Sequence, residues 1–190
     1  MTLKIGVLGS TRGTALQGVI DVIEAGRLEA AIVLIVSDKQ AAPILERAKN
    51  HGLPSLHIDP AGLTREAYDE KVSAAFRQTG AEVILLIGYM RIVSPSFVKA
   101  WEGRLVNVHP SLLPAFGGKM NKDVHRAVLD SGVKQTGCTI HIVTDEVDAG
   151  PVLLQKTCDV LPGDTVDSLK NRVQALEQHA FVEVLETWGK

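Results

Sequence analysis

Cysteine is nearly missing from this sequence: Cys138 and Cys158 are the only two among 190 residues, without metal-ligand spacing or a pairing signature. They read as two buried free thiols of a reducing compartment, so a cytoplasmic location is the expectation. No apolar run approaches the ~18 residues that a bilayer span requires. The longest, 30–36, has the length of a strand. The opening Thr2-Leu3-Lys4-Ile5-Gly6-Val7-Leu8 is too short a hydrophobic stretch for a signal peptide and reads as a buried strand. A membrane partner is therefore not expected. A basic stripe is missing too: the charges are interspersed and sum to -2, which leaves no surface built to neutralise a nucleic-acid backbone. Nucleic acid is not expected as a partner either. With no internal repeat, low-complexity tract or linker, one domain over 1–190 is the expectation.

What is present is the composition of an ordinary globular protein, 45% hydrophobic and 22% charged. A chain of this size buries roughly 70% of its unfolded surface, so its core needs no disulfide or metal staple. Short β-branched runs at 4–8, 31–37, 55–58, 83–87, 105–108, 139–143 and 152–157 alternate with helical patterns. That alternation marks crossover-connected strands and predicts an α/β fold, an open, mostly parallel twisted sheet of about seven strands flanked by helices. Leu16, Val19, Ile20 and Ile23 recur at helical spacing, and Tyr68, Val72, Ala75 and Phe76 do so within 64–80. A last helix starts near Thr165, with Val166, Leu169, Val173 and Leu176 expected to face inward.

In an open α/β sheet, ligands bind beyond the C-terminal ends of the strands. Three polar segments fall there: Ser10-Thr11-Arg12-Gly13-Thr14, Asn107-Val108-His109, and Asp145-Glu146-Val147-Asp148. Asn107 and His109 are two residues apart on a strand and share a face. An amide donor beside an imidazole suits an oxyanion and a proton transfer near neutral pH. Taken alone, His109 reads more readily as a half-buried histidine satisfied by backbone than as a catalytic group. Its company favours chemistry, with Asp145 or Asp148 to orient the ring; spacing does not choose between the two aspartates. The first turn leads into a helix whose N-terminus attracts phosphate, although Gly9 and Gly13 do not make the dinucleotide fingerprint. His51, His57 and His125 read as surface residues. His141, alternating with Ile140 and Ile142, reaches the site or faces solvent. The stretch 110–123 lacks periodicity and is long for a loop in a compact domain, which marks it as functional or mobile.

Asn107-Val108-His109-Pro110-Ser111-Leu112-Leu113-Pro114, Gly137-Cys138-Thr139-Ile140-His141 and Asp145-Glu146-Val147-Asp148-Ala149-Gly150-Pro151 together resemble the glycinamide ribonucleotide formyltransferase family over nearly the whole chain. The resemblance implies a Rossmann-like formyltransferase fold. It also implies formyl transfer from 10-formyltetrahydrofolate, a co-substrate, to the amine of glycinamide ribonucleotide in purine synthesis, without a metal. By resemblance Asn107, His109 and Asp148 match the catalytic trio, which selects Asp148 over Asp145. Arg65, Met90, Arg91, Ile92 and Val93, with Asn107 and the loop Thr144, Asp145, Glu146, Val147 and Asp148, match the folate pocket. Gly13, Thr14 and Gly88 fall where the family holds the phosphorylated substrate, and Gln174 and Glu177 where it contacts the ribose. The family's Gly-Asn-Gly-Ser-Asn turn is here Thr11-Arg12-Gly13-Thr14-Ala15; Ala15 lacks the second Asn's phosphate donor, and Arg12 offers a charge-assisted replacement. Gln178 stands where a His commonly follows Glu177, and Gly117-Gly118-Lys119-Met120 lengthens its loop. The methionyl-tRNA formyltransferases and formyltetrahydrofolate hydrolases are related, but their extra domains are not expected here. The resemblance is compatible with a homodimer.

Overall fold

The computed structural model describes residues 2–119 and 122–189. Met120, within the lengthened loop, and Asn121 lie outside them. Seven strands form one sheet in the order β3-β2-β1-β4-β5-β6-β7: β1 Leu3–Leu8, β2 Ala30–Ser37, β3 Ser55–His57, β4 Val83–Leu86, β5 Leu105–His109, β6 Gln135–Ile142 and β7 Val152–Asp159. Every run predicted to be a strand is one. β1 runs parallel to β2 and β4, and β2 to β3, whereas β6 and β7 form an antiparallel pair. β6 begins four residues before the apolar run that announced it, since Gln135 and Thr136 pair with Asp159 and Cys158 of β7. Among the described residues the helices are α1 Thr14–Glu24, α2 Pro43–Asn50, α3 Arg65–Gln78, α4 Pro95–Ala100, α5 Lys122–Ser131 and α6 Val166–Glu186.

Contacts group the chain into two compact units, 1–13 with 20–106, and 14–19 with 107–190. In the first unit, Ile5, Val7, Ile35, Val36, Val83, Ile84 and Leu85 are wholly buried. Strands covered on both faces carry continuous apolar runs, which is why these segments do not alternate. The chain leaves β1 towards β2 and β3, then returns to β1's other side as β4. The strand order therefore reverses between β1 and β4, the position where an open sheet leaves a crevice. Thr64 caps α3 by accepting a hydrogen bond from the Ala67 amide at 3.1 Å, and Tyr68, Val72 and Phe76 of α3 are fully buried. Phe76 meets Trp101 edge to face at 6.2 Å. The Trp101 indole donates to Ser73 Oγ at 2.9 Å, so its polar end is satisfied inside. His51, expected at the surface, is half-buried and bonds Glu24 through Nδ1 at 2.8 Å.

In the second unit, α6 opens with a capping box at Thr165 and Ser168. Its buried stripe runs Leu169, Val173, Glu177, Ala180, Phe181 and Val184. The expected stripe is corrected at both ends: Val166 and Leu176 are only half-buried, because steps of four from Leu169 turn Glu177 inward. That burial pushes the Glu177 carboxyl up to about 8, against a smaller opposing pull from Lys170. His125 is the second correction. It is 2% exposed, on the face of α5 that also buries Val124 and Val128, and its Nδ1 has no hydrogen-bond partner. Burial drives its pKa down to about 4, with Lys170 and His109 adding to the shift.

A histidine whose folded pKa is depressed contributes stability above its unfolded pKa near 6.5, and that contribution is lost as pH falls towards 4. The unfolded chain takes the proton in this window while the folded chain refuses it, a difference of at most about 3 kcal/mol. Replacing His125 by Phe, similar in bulk and without the unpartnered nitrogen, is expected to remove that acid sensitivity. Urea unfolding at pH 7 and pH 4.5 measures it; equal losses in parent and variant would refute the assignment.

Candidate active site

β5 ends on Asn107 and His109, and the loop from β6 to β7 brings Asp148 to the same place. That loop is closed by the Ile142 amide donating to the Pro151 carbonyl at 2.9 Å. A Cβ at Gly150 would run into the Ile142 carbonyl, so the closure requires glycine there. Asp148 itself sits at φ 56, a left-handed conformation that aspartate tolerates better than most residues. The turn leaves Asp145, Glu146 and Val147 exposed and points Asp148 inward, with 11% of its side chain accessible. Of the two aspartates, Asp148 is the one that lies beside His109.

Asp148 Oδ2 lies 3.2 Å from His109 Nδ1 and accepts the Gly118 amide at 2.9 Å. His109 Nε2 lies 3.2 Å from the Phe116 carbonyl oxygen. A carbonyl only accepts, so Nε2 carries a proton, and the ring sits between two acceptors. His109 is 3% exposed. Burial holds its pKa below the usual histidine value; Asp148 and the Phe116 carbonyl pull upward, and His141 adds a smaller downward push. The neutral ring carries its one proton on Nε2 and has no N–H to give Asp148; both acceptors are served only once the ring is charged.

His141, which the sequence left between site and solvent, belongs to the site: it is 2% exposed. Its Nδ1 donates to the Ile142 carbonyl at 3.0 Å. In the neutral ring Nε2 then accepts from Asn107 Nδ2 at 3.1 Å, and it stands 3.6 Å from Asp148 Oδ1. Asn107 and His141 are joined by that hydrogen bond, and Asp148 lies within 3.6 Å of the rings of both His141 and His109. Sequence reasoning missed the Phe116 carbonyl and the Gly118 amide, which carry no side-chain signal. Phe116 is at φ 62, rare for an aromatic residue.

The other expected ligand residues fall in two groups. In the first unit the Met90 amide donates to Ser10 Oγ at 3.0 Å and the Ser10 amide to the Gly88 carbonyl at 3.1 Å, which ties the turn after β1 to the turn after β4. Gly88 has φ 60, and a Cβ there would strike Thr11 Oγ1. Arg91 lies over the Tyr68 ring at 4.9 Å, and Arg65 pairs with Glu66 at 3.3 Å while keeping 47% of its side chain exposed. Ile92 is 58% exposed, whereas Val93 is buried. Arg12 is exposed, and its carbonyl accepts from Arg47 Nε at 3.3 Å. Gly13 is the left-handed residue before α1, which has no side-chain cap. In the second unit Thr14 is half-buried and Ala15 is buried in the core, so position 15 offers nothing to a ligand. Gln174 is half-buried beside the buried Glu177 on α6. Thr144 Oγ1 donates to the Glu146 carbonyl at 3.1 Å, shaping the Asp148 loop. Among the described residues, no group of three or more His, Cys, Asp or Glu is arranged to hold a metal ion.

Residues 3–185 match the family model described as Formyl transferase. The chain is 41% identical over 185 residues to the trifunctional purine biosynthetic protein adenosine-3 of Gallus gallus, covering 97% of this chain and 18% of that protein; it thus spans a small part of such relatives. It is 37% identical over 187 residues to the phosphoribosylglycinamide formyltransferase of Escherichia coli (strain K12), covering 98% of this chain and 86% of that enzyme. The crystal structure of glycinamide ribonucleotide transformylase 1 from Symbiobacterium toebii superimposes with a TM-score of 0.93 at 40% identity, covering 97% of this chain and 86% of that one. With its sheet order, its Asn-x-His strand end and a family match over almost its full length, the chain belongs to the formyl transferase family.

Proposed function

We propose that this chain transfers the formyl group of 10-formyltetrahydrofolate to the amine of glycinamide ribonucleotide, acting as one formyltransferase domain over 1–190 in the cytoplasm. The observation that carries the reading is the joined set of Asn107, His109, His141 and Asp148. Attack of the amine on the formyl carbon makes the nitrogen cationic and the oxygen anionic. A neutral His109, with its own proton on Nε2 against the Phe116 carbonyl, takes the proton from that nitrogen at Nδ1 and becomes an imidazolium beside the oxyanion. Asp148, at Nδ1, stabilises the charge as it forms. The Asn107 amide, turned from His141, is a second donor to the oxygen. The proton then goes to the folate nitrogen as the carbon–nitrogen bond breaks, and no metal takes part. Arg65 and the segments Met90–Val93 and Thr144–Asp148 are assigned to folate. Arg12, Gly13, Thr14, Gly88, Gln174 and Glu177 are assigned to the ribonucleotide. Position 15 makes no polar contact there, in keeping with the buried Ala15.

Holding both substrates in line supplies several kcal/mol of the barrier reduction, so the acceptor should decide turnover. Purified protein is given 10-formyltetrahydrofolate with glycinamide ribonucleotide, with water alone, or with initiator tRNA. Formylated ribonucleotide is expected to form in step with tetrahydrofolate, and neither other acceptor is expected to match it. Faster release with water alone would overturn the reading in favour of a hydrolase. Folate binding without turnover would make the chain a silent binding module.

A further inference from the structure

The loop that follows His109 is held in place from β6 and β7. Thr139 of β6 is fully buried, and its hydroxyl is used to capacity. It donates to the Ser111 carbonyl at 2.7 Å and accepts from the Leu113 amide at 3.0 Å and from Gln155 Nε2 at 2.9 Å. A hydroxyl has one donor and two acceptor sites, so nothing is spare. Gln155, on β7, uses the same Nε2 to donate to the Leu113 carbonyl at 2.9 Å. Since that carbonyl only accepts, the orientation of the Gln155 amide is fixed by its partners. Inside the loop, Ser111 Oγ donates to the Ala115 carbonyl at 2.6 Å. The next residues are Phe116, whose carbonyl meets His109, and then Gly118, whose amide meets Asp148.

We infer that Gln155 is a positioning residue of the active site. Gripping Leu113 directly and Ser111 through Thr139, it sets the backbone path that presents the Phe116 carbonyl to His109 Nε2 and the Gly118 amide to Asp148 Oδ2. Gln155 is exposed and touches none of the reacting groups; its effect reaches the chemistry through four hydrogen bonds and one loop. The inference rests on the formyl-transfer reading, for which it names a residue outside the set that the sequence singled out. A displacement of a fraction of an ångström is enough to matter, because a catalytic hydrogen bond weakens steeply with angle and distance.

The test uses four substitutions in the full chain: Gln155→Leu, Gln155→Glu, Thr139→Val and Thr139→Ser. Both Gln155 variants and Thr139→Val are expected to lower kcat for formyl transfer by roughly 10- to 100-fold, with KM for both substrates within about threefold. Thr139→Ser keeps the hydroxyl and is expected to stay within threefold of the parent in kcat. The effects of Gln155→Leu and Thr139→Val should not multiply in the double variant, since both break the same linkage. The ring N–H proton of His109 gives a readout independent of substrate: its exchange-protected resonance should persist in Thr139→Ser and be lost in Gln155→Leu. A folded Gln155→Leu protein with unchanged kcat and an unchanged His109 resonance would overturn the inference, leaving only a stabilising contact. If the parent forms no formylated ribonucleotide, the functional reading fails by itself, and the resonance still decides whether Gln155 sets the loop.

Discussion

Replacing His109 by Ala is expected to lower formyl transfer by about 10²- to 10⁴-fold, the range that a positioned proton carrier contributes. The ring is almost wholly buried and meets acceptors at both nitrogens, so no water or neighbouring side chain can reproduce both its geometry and its proton. The loss should fall on kcat, since the imidazolium forms only as the tetrahedral charges develop. A pH signature accompanies it. Burial depresses the resting pKa of His109, so the neutral ring persists at pH values where an ordinary histidine, near 6.5, would already be protonated. The acid limb of the rate profile in the parent is expected below pH 6.5, and its pKa-dependent shape should vanish in His109→Ala. Steady-state kinetics between pH 5 and pH 8 check both points; activity of the variant within a few fold of the parent would sink the role given to His109.

What the sequence disclosed follows from the range over which each signal acts. The strands of the first unit were legible because a strand buried on both faces must be apolar throughout, and 5–8 and 83–87 have no polar member. The parity of Asn107 and His109 was legible for the same reason that alternation is: backbone geometry alone puts them on one face. The start of β6 was not, because Gln135 and Thr136 owe their strand conformation to β7 across a turn and not to their own propensity. The burial of Glu177 and His125 runs against hydrophobicity, and only the rotation of α6 and the packing of α5 turn these residues inward. That Asp148 and not Asp145 lies beside His109 goes with one backbone angle, φ 56 at Asp148, which no residue pattern encodes. The Phe116 carbonyl and the Gly118 amide belong to every residue type, so their part in the site is visible only once the loop has a path.

That backbone angle also makes Asp148→Asn the sharpest test of the electrostatics. Asparagine tolerates the left-handed region as well as aspartate does, so the loop should keep its closure through Gly150 and the thermal midpoint should stay near that of the parent. The charge, however, disappears. In the parent, Asp148 Oδ2 serves both His109 Nδ1 and the Gly118 amide, and Oδ1 faces His141 Nε2. An asparagine oxygen can keep the Gly118 amide, but a neutral amide does not stabilise an imidazolium as a carboxylate does. His109 is already biased against its proton by burial, so without Asp148 it has no charged partner at the moment the oxyanion develops. The expected loss is about 10³-fold or more in kcat, equivalent to roughly 4 kcal/mol of transition-state stabilisation. KM should change little, because the charge matters only when His109 is protonated. A folded Asp148→Asn protein that keeps more than a tenth of the parent's kcat would show that the carboxylate's charge is not what drives the step.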